Sequence, residues 1–104
     1  MLFTRILEDE GYTVKACDNG ASGLEAVRQQ IDKIGAIVTD AKMPGMSGQK
    51  LIARARALRP NLPAILISGT PIDGFSDDIT VFLSKPVTPE TLTGELQRLL
   101  CGTM

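Results

Sequence analysis

Apolar positions along the 104-residue chain switch repeatedly between a spacing near 3.6 and short continuous runs, so helices and brief strands alternate. Leu2, Phe3, Ile6 and Leu7 recur at helical spacing, and Gly11 stands where a helix C-terminus favours a left-handed residue. Residues 12–17 carry Tyr, Thr and Val and run into Asp18-Asn19-Gly20, which predicts a strand and a turn. A second helix, entered near Ser22, places Leu24, Val27 and Ile31 on one side. Ala36-Ile37-Val38-Thr39 is short, apolar and β-branched, as suits a strand buried on both faces. After a turn at Met43-Pro44-Gly45, a third helix begins near Ser47. It directs Leu51, Ile52, Ala55 and Leu58 inward and stops at Pro60.

Two further buried strands follow, AILIS over 64–68 and TVFLS over 80–84. The last helix has the clearest start: Thr88 as N-cap, Pro89 in the first helical position, and Glu90 favoured by the positive helix end. Leu92, Leu96, Leu99 and Leu100 form its inner stripe and Gly102 closes it. Strands alternating with helices imply parallel pairing through right-handed crossovers. The predicted architecture is therefore one α/β domain over residues 1–104, a parallel sheet with helices on both faces. In such sheets polar groups at the strand carboxyl ends collect on one rim, where ligands bind.

Composition narrows the chemistry. The 43% hydrophobic and 22% charged content is that of a soluble domain, and 11 Lys and Arg nearly balance 12 Asp and Glu. No basic excess marks a nucleic-acid groove, no apolar run approaches the ~20 residues that span a bilayer, and the first dozen residues do not form a signal peptide. Cys17 and Cys101 make neither a disulfide framework nor a metal cluster, which points to a reduced, cytoplasmic setting. The chain has no histidine, so the commonest metal ligand and general base are missing and most hydrolase mechanisms are disfavoured.

Three strands end in residues able to do chemistry: Asp40 after AIVT, Ser68 before Gly69-Thr70, and Lys85 before Pro86. Singly, each has an ordinary structural reading as turn, cap or solvated side chain. Together they bring a carboxylate, a hydroxyl and an ammonium to adjacent strand ends. That set suits phosphoryl transfer to a carboxylate: Asp40 as nucleophile, Ser68 donating to a phosphoryl oxygen, Lys85 supplying compact positive charge, and Gly69 leaving space.

IVTDAKMPGMSG resembles the phosphoacceptor segment of response regulator receiver domains: a strand, Asp, two residues, Met-Pro, a spacer and Met-x-Gly. ILISGT resembles the strand bearing the switch hydroxyl, FLSKPVTPETL the Lys-Pro segment entering the final helix, and GYTVKACDNGASGLEAV the family's second strand and helix. The resemblance covers the chain nearly end to end and implies a flavodoxin-like sheet. It makes Asp40 the phosphoacceptor, Ser68 the switch hydroxyl, Phe82 the switch aromatic and Lys85 the phosphate-contacting lysine. Mg²⁺ is the implied cofactor, with Asp40 and the main-chain carbonyl of Lys42 among its ligands, and the Lys85-Pro86 bond is expected to be cis.

The family also has a central first strand ending in an acidic pair that holds Mg²⁺. By the resemblance that strand precedes Met1, so the domain is expected to be incomplete at its N-terminus by roughly 15–20 residues. Mg²⁺ prefers octahedral oxygen coordination, which Asp40 alone serves poorly. Asp18 is not a family ligand, and Glu8, Asp9 and Glu10 read as a solvated helix end. Burial of about five side chains at ~1.5–3 kcal/mol each is on the order of 10 kcal/mol, a sum comparable with a domain's whole stability of about 5–15 kcal/mol. A longer parent chain is therefore favoured over a partner filling the gap or closure of the flanking strands. Residues 69–81 leave room for only a shortened fourth helix.

The leading expectation is a receiver in a two-component phosphorelay, accepting a phosphoryl group on Asp40 from a histidine kinase or phosphotransfer protein. It would be a stand-alone regulator or the tail of a hybrid histidine kinase, with a homodimer left open, no direct nucleic-acid or membrane partner, and no enzyme role beyond autocatalytic phosphotransfer and dephosphorylation. The alternative is a degenerate, unphosphorylated receiver that acts as an interaction module. A haloacid-dehalogenase type phosphatase would want a second Asp two residues after the nucleophile, where this chain has Lys42.

Overall fold

A computed structural model describes residues 2–14, 17, 19–42, 45–69 and 79–101. The elements run α1 (Leu2–Asp9), α2 (Gly20–Gln29), β1 (Ile37–Asp40), α3 (Gly48–Leu58), β2 (Ala64–Ser68), β3 (Thr80–Ser84) and α4 (Pro89–Cys101). The described strands form one parallel sheet in the order β1-β2-β3. Asp40 lies opposite Ile67, and Ser68 opposite Ser84.

β2 explains how the sheet is covered. Successive strand side chains point to opposite faces, and all five residues of AILIS are buried. Ala64 and Leu66 join Val27, Leu51, Ile52, Ala55 and Leu62 in one core, roofed by α2 and α3. Ile65 and Ile67 join Leu7, Val81, Leu92, Leu96 and Leu99 in the other, roofed by α1 and α4. The predicted parallel sheet with helices on both faces is thus present, and each fully buried aliphatic side chain contributes about 1.5–3 kcal/mol to it.

Side-chain caps start three of the helices. Thr88 Oγ1 accepts from the Thr91 N–H at 3.1 Å, as predicted for α4. Ser47 Oγ accepts from the Lys50 N–H at 3.2 Å at the start of α3. α2 begins two residues before Ser22, because Asn19 Oδ1 accepts from the Ser22 N–H at 2.8 Å and serves as its cap. Gly11 follows α1 with φ +94°.

Two predicted inward side chains face outward. Leu58 is 48% exposed, since the core position at that end of α3 goes to Leu62, which is fully buried after the chain folds back. Leu100 is 37% exposed at the margin of the stripe formed by Leu92, Leu96 and Leu99. Arg56 pins the fold-back, donating from Nε to the Leu62 carbonyl at 3.0 Å and from Nη2 to the Ile79 carbonyl at 2.9 Å. Arg59 likewise donates to the carbonyls of Ile31 and Ile34. Both arginines tie the sheet's amino-terminal edge and leave its opposite rim clear.

Of the strand predicted over 12–17, residues 12–14 and 17 are described and none is in a strand. Alternation makes a strand only where a neighbour pairs with it. Here Tyr12 and Val14 instead pack against the α1/α4 core. Lys15, Ala16, Asp18, Met43, Pro44, Gly102 and residues 70–78, where a shortened helix was expected, lie outside the described residues. Among the described residues no helix is long and apolar enough to cross a membrane.

Candidate functional site

Asp40 is the last residue of β1, Ser68 the last of β2, and Lys85 directly follows β3. Since β2 lies between the other two strands, Lys85 must reach across the end of β2 to meet Asp40. It does so: Lys85 Nζ stands 2.6 Å from Asp40 Oδ2. The lysine stem passes Gly69, where an added Cβ would sit 3.7 Å from Lys85 Cδ, an ordinary contact. The main chain supports the crossing, with the Lys85 N–H donating to the Ser68 carbonyl at 2.8 Å. The Lys85-Pro86 peptide is cis, as the resemblance implied.

The second carboxylate oxygen is held locally. Asp40 Oδ1 accepts from the Lys42 N–H at 3.2 Å. Partial burial pushes the Asp40 pKa up, but the hydrogen bond from Lys85, the Lys42 N–H, the lysine's charge and the Ala41 N–H outweigh it. The carboxyl is therefore held below its usual range and is ionised at neutral pH. Side-chain exposures of 47% for Lys85 and 38% for Asp40 leave the pair open to an incoming group.

Ser68 is buried at 4% exposure, at the end of the central strand. Phe82, in register with Leu66, is half-buried against the α2/α3 core. The strand ends thus assemble Asp40 and Lys85 in direct contact, with Ser68 on the strand between them and Phe82 two residues below Ser84 on β3.

The magnesium expectation meets an incomplete donor set. One Asp40 oxygen is engaged by an ammonium and the other by an amide. Glu8, Asp9 and Glu10 are exposed on and just after α1, and no group of three metal-ligating side chains occurs among the described residues. Octahedral Mg²⁺ wants several oxygen donors, so the described residues do not by themselves fit it.

Three hydrogen bonds to the main chain brace the acceptor segment, and the sequence alone does not signal them. The Thr39 hydroxyl donates to the Asp40 carbonyl at 3.1 Å, the Ala41 N–H donates to the Ile67 carbonyl at 2.7 Å, and the Gly48 N–H donates to the Ala41 carbonyl at 3.0 Å. A Cβ on Gly48 would collide with the Asp40 carbonyl oxygen. The only sequence signal for this was the glycine of Met-x-Gly, whose purpose depends on a tertiary contact.

A family model described as "Response regulator receiver domain" matches residues 1–97. The response regulator receiver protein CpdR of Brucella abortus is 34% identical over 101 residues, covering 92% of this chain and 82% of CpdR. The sensor kinase CckA of the same organism is 29% identical over 101 residues, 92% of this chain but 11% of the kinase. The chain likewise spans 20% of the transcriptional regulators GlrR and QseF. Among solved structures, a receiver protein from Sinorhizobium medicae superposes with TM-score 0.84 at 30% identity, covering 95% of this chain and 82% of that one. The receiver of the Pseudomonas aeruginosa kinase PA1611, which carries magnesium in its active-site cleft, shares the fold with TM-score 0.81 at 22% identity, covering 96% and 86%.

Proposed function

The chain belongs to the response regulator receiver domain family, and on that premise we propose that Asp40 accepts a phosphoryl group from a phosphohistidine donor. The observation that carries this reading is the 2.6 Å contact between Lys85 Nζ and Asp40 Oδ2, made across the end of the central strand. A carboxylate kept ionised beside an exposed ammonium is both a nucleophile and half of an anion site.

In the proposed step a carboxylate oxygen of Asp40 attacks phosphorus in line with the phosphorus–nitrogen bond of the donor. A phosphorus–oxygen bond forms as the phosphorus–nitrogen bond breaks. The imidazole leaves with the bond's electron pair, neutral because its other nitrogen already carries a proton. The mixed anhydride that results puts negative charge on phosphoryl oxygens. Lys85 then turns from the carboxylate to those oxygens, and the Ser68 hydroxyl donates to one of them. Half-buried Phe82 is placed to repack as Ser68 changes partner. The chain is then a signalling phosphoacceptor rather than a turnover enzyme.

The test is incubation with acetyl phosphate or beryllofluoride in the presence of Mg²⁺, read by intact mass and by NMR. Wild type should gain one adduct at Asp40 with shifts near Ser68 and Phe82, and Asp40→Asn should gain none. A folded wild-type protein that forms no adduct would leave the receiver as a binding module only.

A further inference from the structure

We propose that Gly48 is a positioning residue for the Asp40 acceptor, holding its peptide in place through direct backbone contact at the start of α3. This rests on the reading of Asp40 as acceptor, but its geometric part can be tested on the unphosphorylated protein.

The Asp40–Ala41 peptide is held on several sides. The Asp40 carbonyl takes the Thr39 hydroxyl at 3.1 Å, while the next N–H, that of Ala41, donates to the Ile67 carbonyl at 2.7 Å. The Ala41 carbonyl accepts from the Gly48 N–H at 3.0 Å. Gly48 itself is buried, and a Cβ there would strike the Asp40 carbonyl oxygen and lie 2.7 Å from Leu66 Cδ1. The leucine methyl belongs to a side chain and can turn away; the carbonyl belongs to the backbone that carries the acceptor and cannot. α3 therefore seats directly on the Asp40 peptide, and its seating sets where the carboxylate stands relative to Lys85.

A second glycine supplies the control. A Cβ on Gly20 would lie 2.5 Å from Met46 Cβ, a comparable collision between the start of α2 and the loop before α3, with Met46 rather than Asp40 supplying its three nearest atoms. General loosening should make the two positions equivalent; positioning should separate them.

Gly48→Ala and Gly20→Ala are compared with wild type by thermal unfolding, by the carbonyl ¹³C shift of Asp40 with the ¹⁵N shift of the Lys85 ammonium, and by the rate of phosphoryl uptake from acetyl phosphate. Both variants should lose thermal stability. Gly48→Ala should also move both NMR signals and slow uptake tenfold or more, because misplacement of a reacting group by about 1 Å can cost up to 10²-fold. Gly20→Ala should leave signals and uptake near wild type. Equal effects of the two variants on the signals, or unchanged signals in Gly48→Ala, would overturn the proposal. Signals that move in Gly48→Ala, together with a wild type that takes up no phosphoryl group, would instead keep the geometry and reject the acceptor reading.

Should Gly48→Ala fail to fold, the milder pair Ser47→Ala and Asn19→Ala removes the side-chain caps of α3 and α2. Only Ser47→Ala should shift the Asp40 carbonyl signal, and equal shifts in both would refute the assignment.

Discussion

Lys85 Nζ lies 2.6 Å from Asp40 Oδ2 although their strands are not neighbours, because the lysine stem crosses the end of β2 beside Gly69. Asp40 thereby rests against a solvent-accessible cation at the carboxyl rim of the sheet. The pair is solvent-accessible, so its contribution to stability is small.

Replacing Lys85 by Met should raise the Asp40 pKa toward the ordinary carboxylate value, read from the carboxyl ¹³C signal across a pH titration. In wild type the folded-state pKa is depressed, so the stabilisation from this group is complete above the unfolded pKa. It is lost as pH falls through the lower, folded one. The variant should show a weaker acid-side dependence and a correspondingly small loss of stability at neutral pH, since the pair is exposed and the Lys42 and Ala41 N–H groups still favour the carboxylate. Phosphoryl uptake should fall about 10²-fold, as for other single electrostatic donors to a developing charge.

Gly69→Ala should be tolerated. The added methyl would sit 3.7 Å from Lys85 Cδ, at normal contact distance. Unfolding temperature and uptake from acetyl phosphate within about twofold of wild type are expected, and a large loss in either would mean that the lysine needs more room than the unphosphorylated geometry uses.

Thr80 Oγ1 is buried and has no hydrogen-bond partner among the described residues. Thr80→Val removes that hydroxyl at nearly constant shape, and should stabilise the domain by about 1 kcal/mol. For a domain near 100 residues this is roughly a 4–8 °C rise in Tm, measurable by calorimetry.

Arg56→Ala should destabilise by about 1–3 kcal/mol, since two loop carbonyls lose their charged donor. Arg56→Lys should recover little, because an ammonium cannot reproduce the planar fork that spans both carbonyls. Chemical denaturation gives the stability. Phosphoryl uptake by the folded fraction should stay at the wild-type rate, as these contacts lie at the sheet edge remote from Asp40.

Local chemistry was legible wherever it acts within a few residues. Ala64–Ser68 and Thr80–Ser84 form strands at their predicted bounds, and Thr88-Pro89 starts α4 as composition demands. Asn19 outcompeted Ser22 as a cap because both residue types cap well and neighbouring packing chooses between them. Leu58 kept its helical spacing yet faces water, since periodicity does not say where the core ends.

From its residues alone, the chain determined the order of its four described helices and three described strands, the burial of Ala64–Ser68 on two faces, and which polar groups stand at the strand ends. These follow from side-chain volume, branching and backbone propensity, all local properties. Tertiary structure alone decided that Lys85 would span β2 to reach Asp40, that Tyr12 and Val14 would pack without joining a strand, and that Gly48 would bear on the Asp40 peptide. Each depends on distances between segments far apart in the chain, and those distances are set by the packing of the whole sheet and its helices.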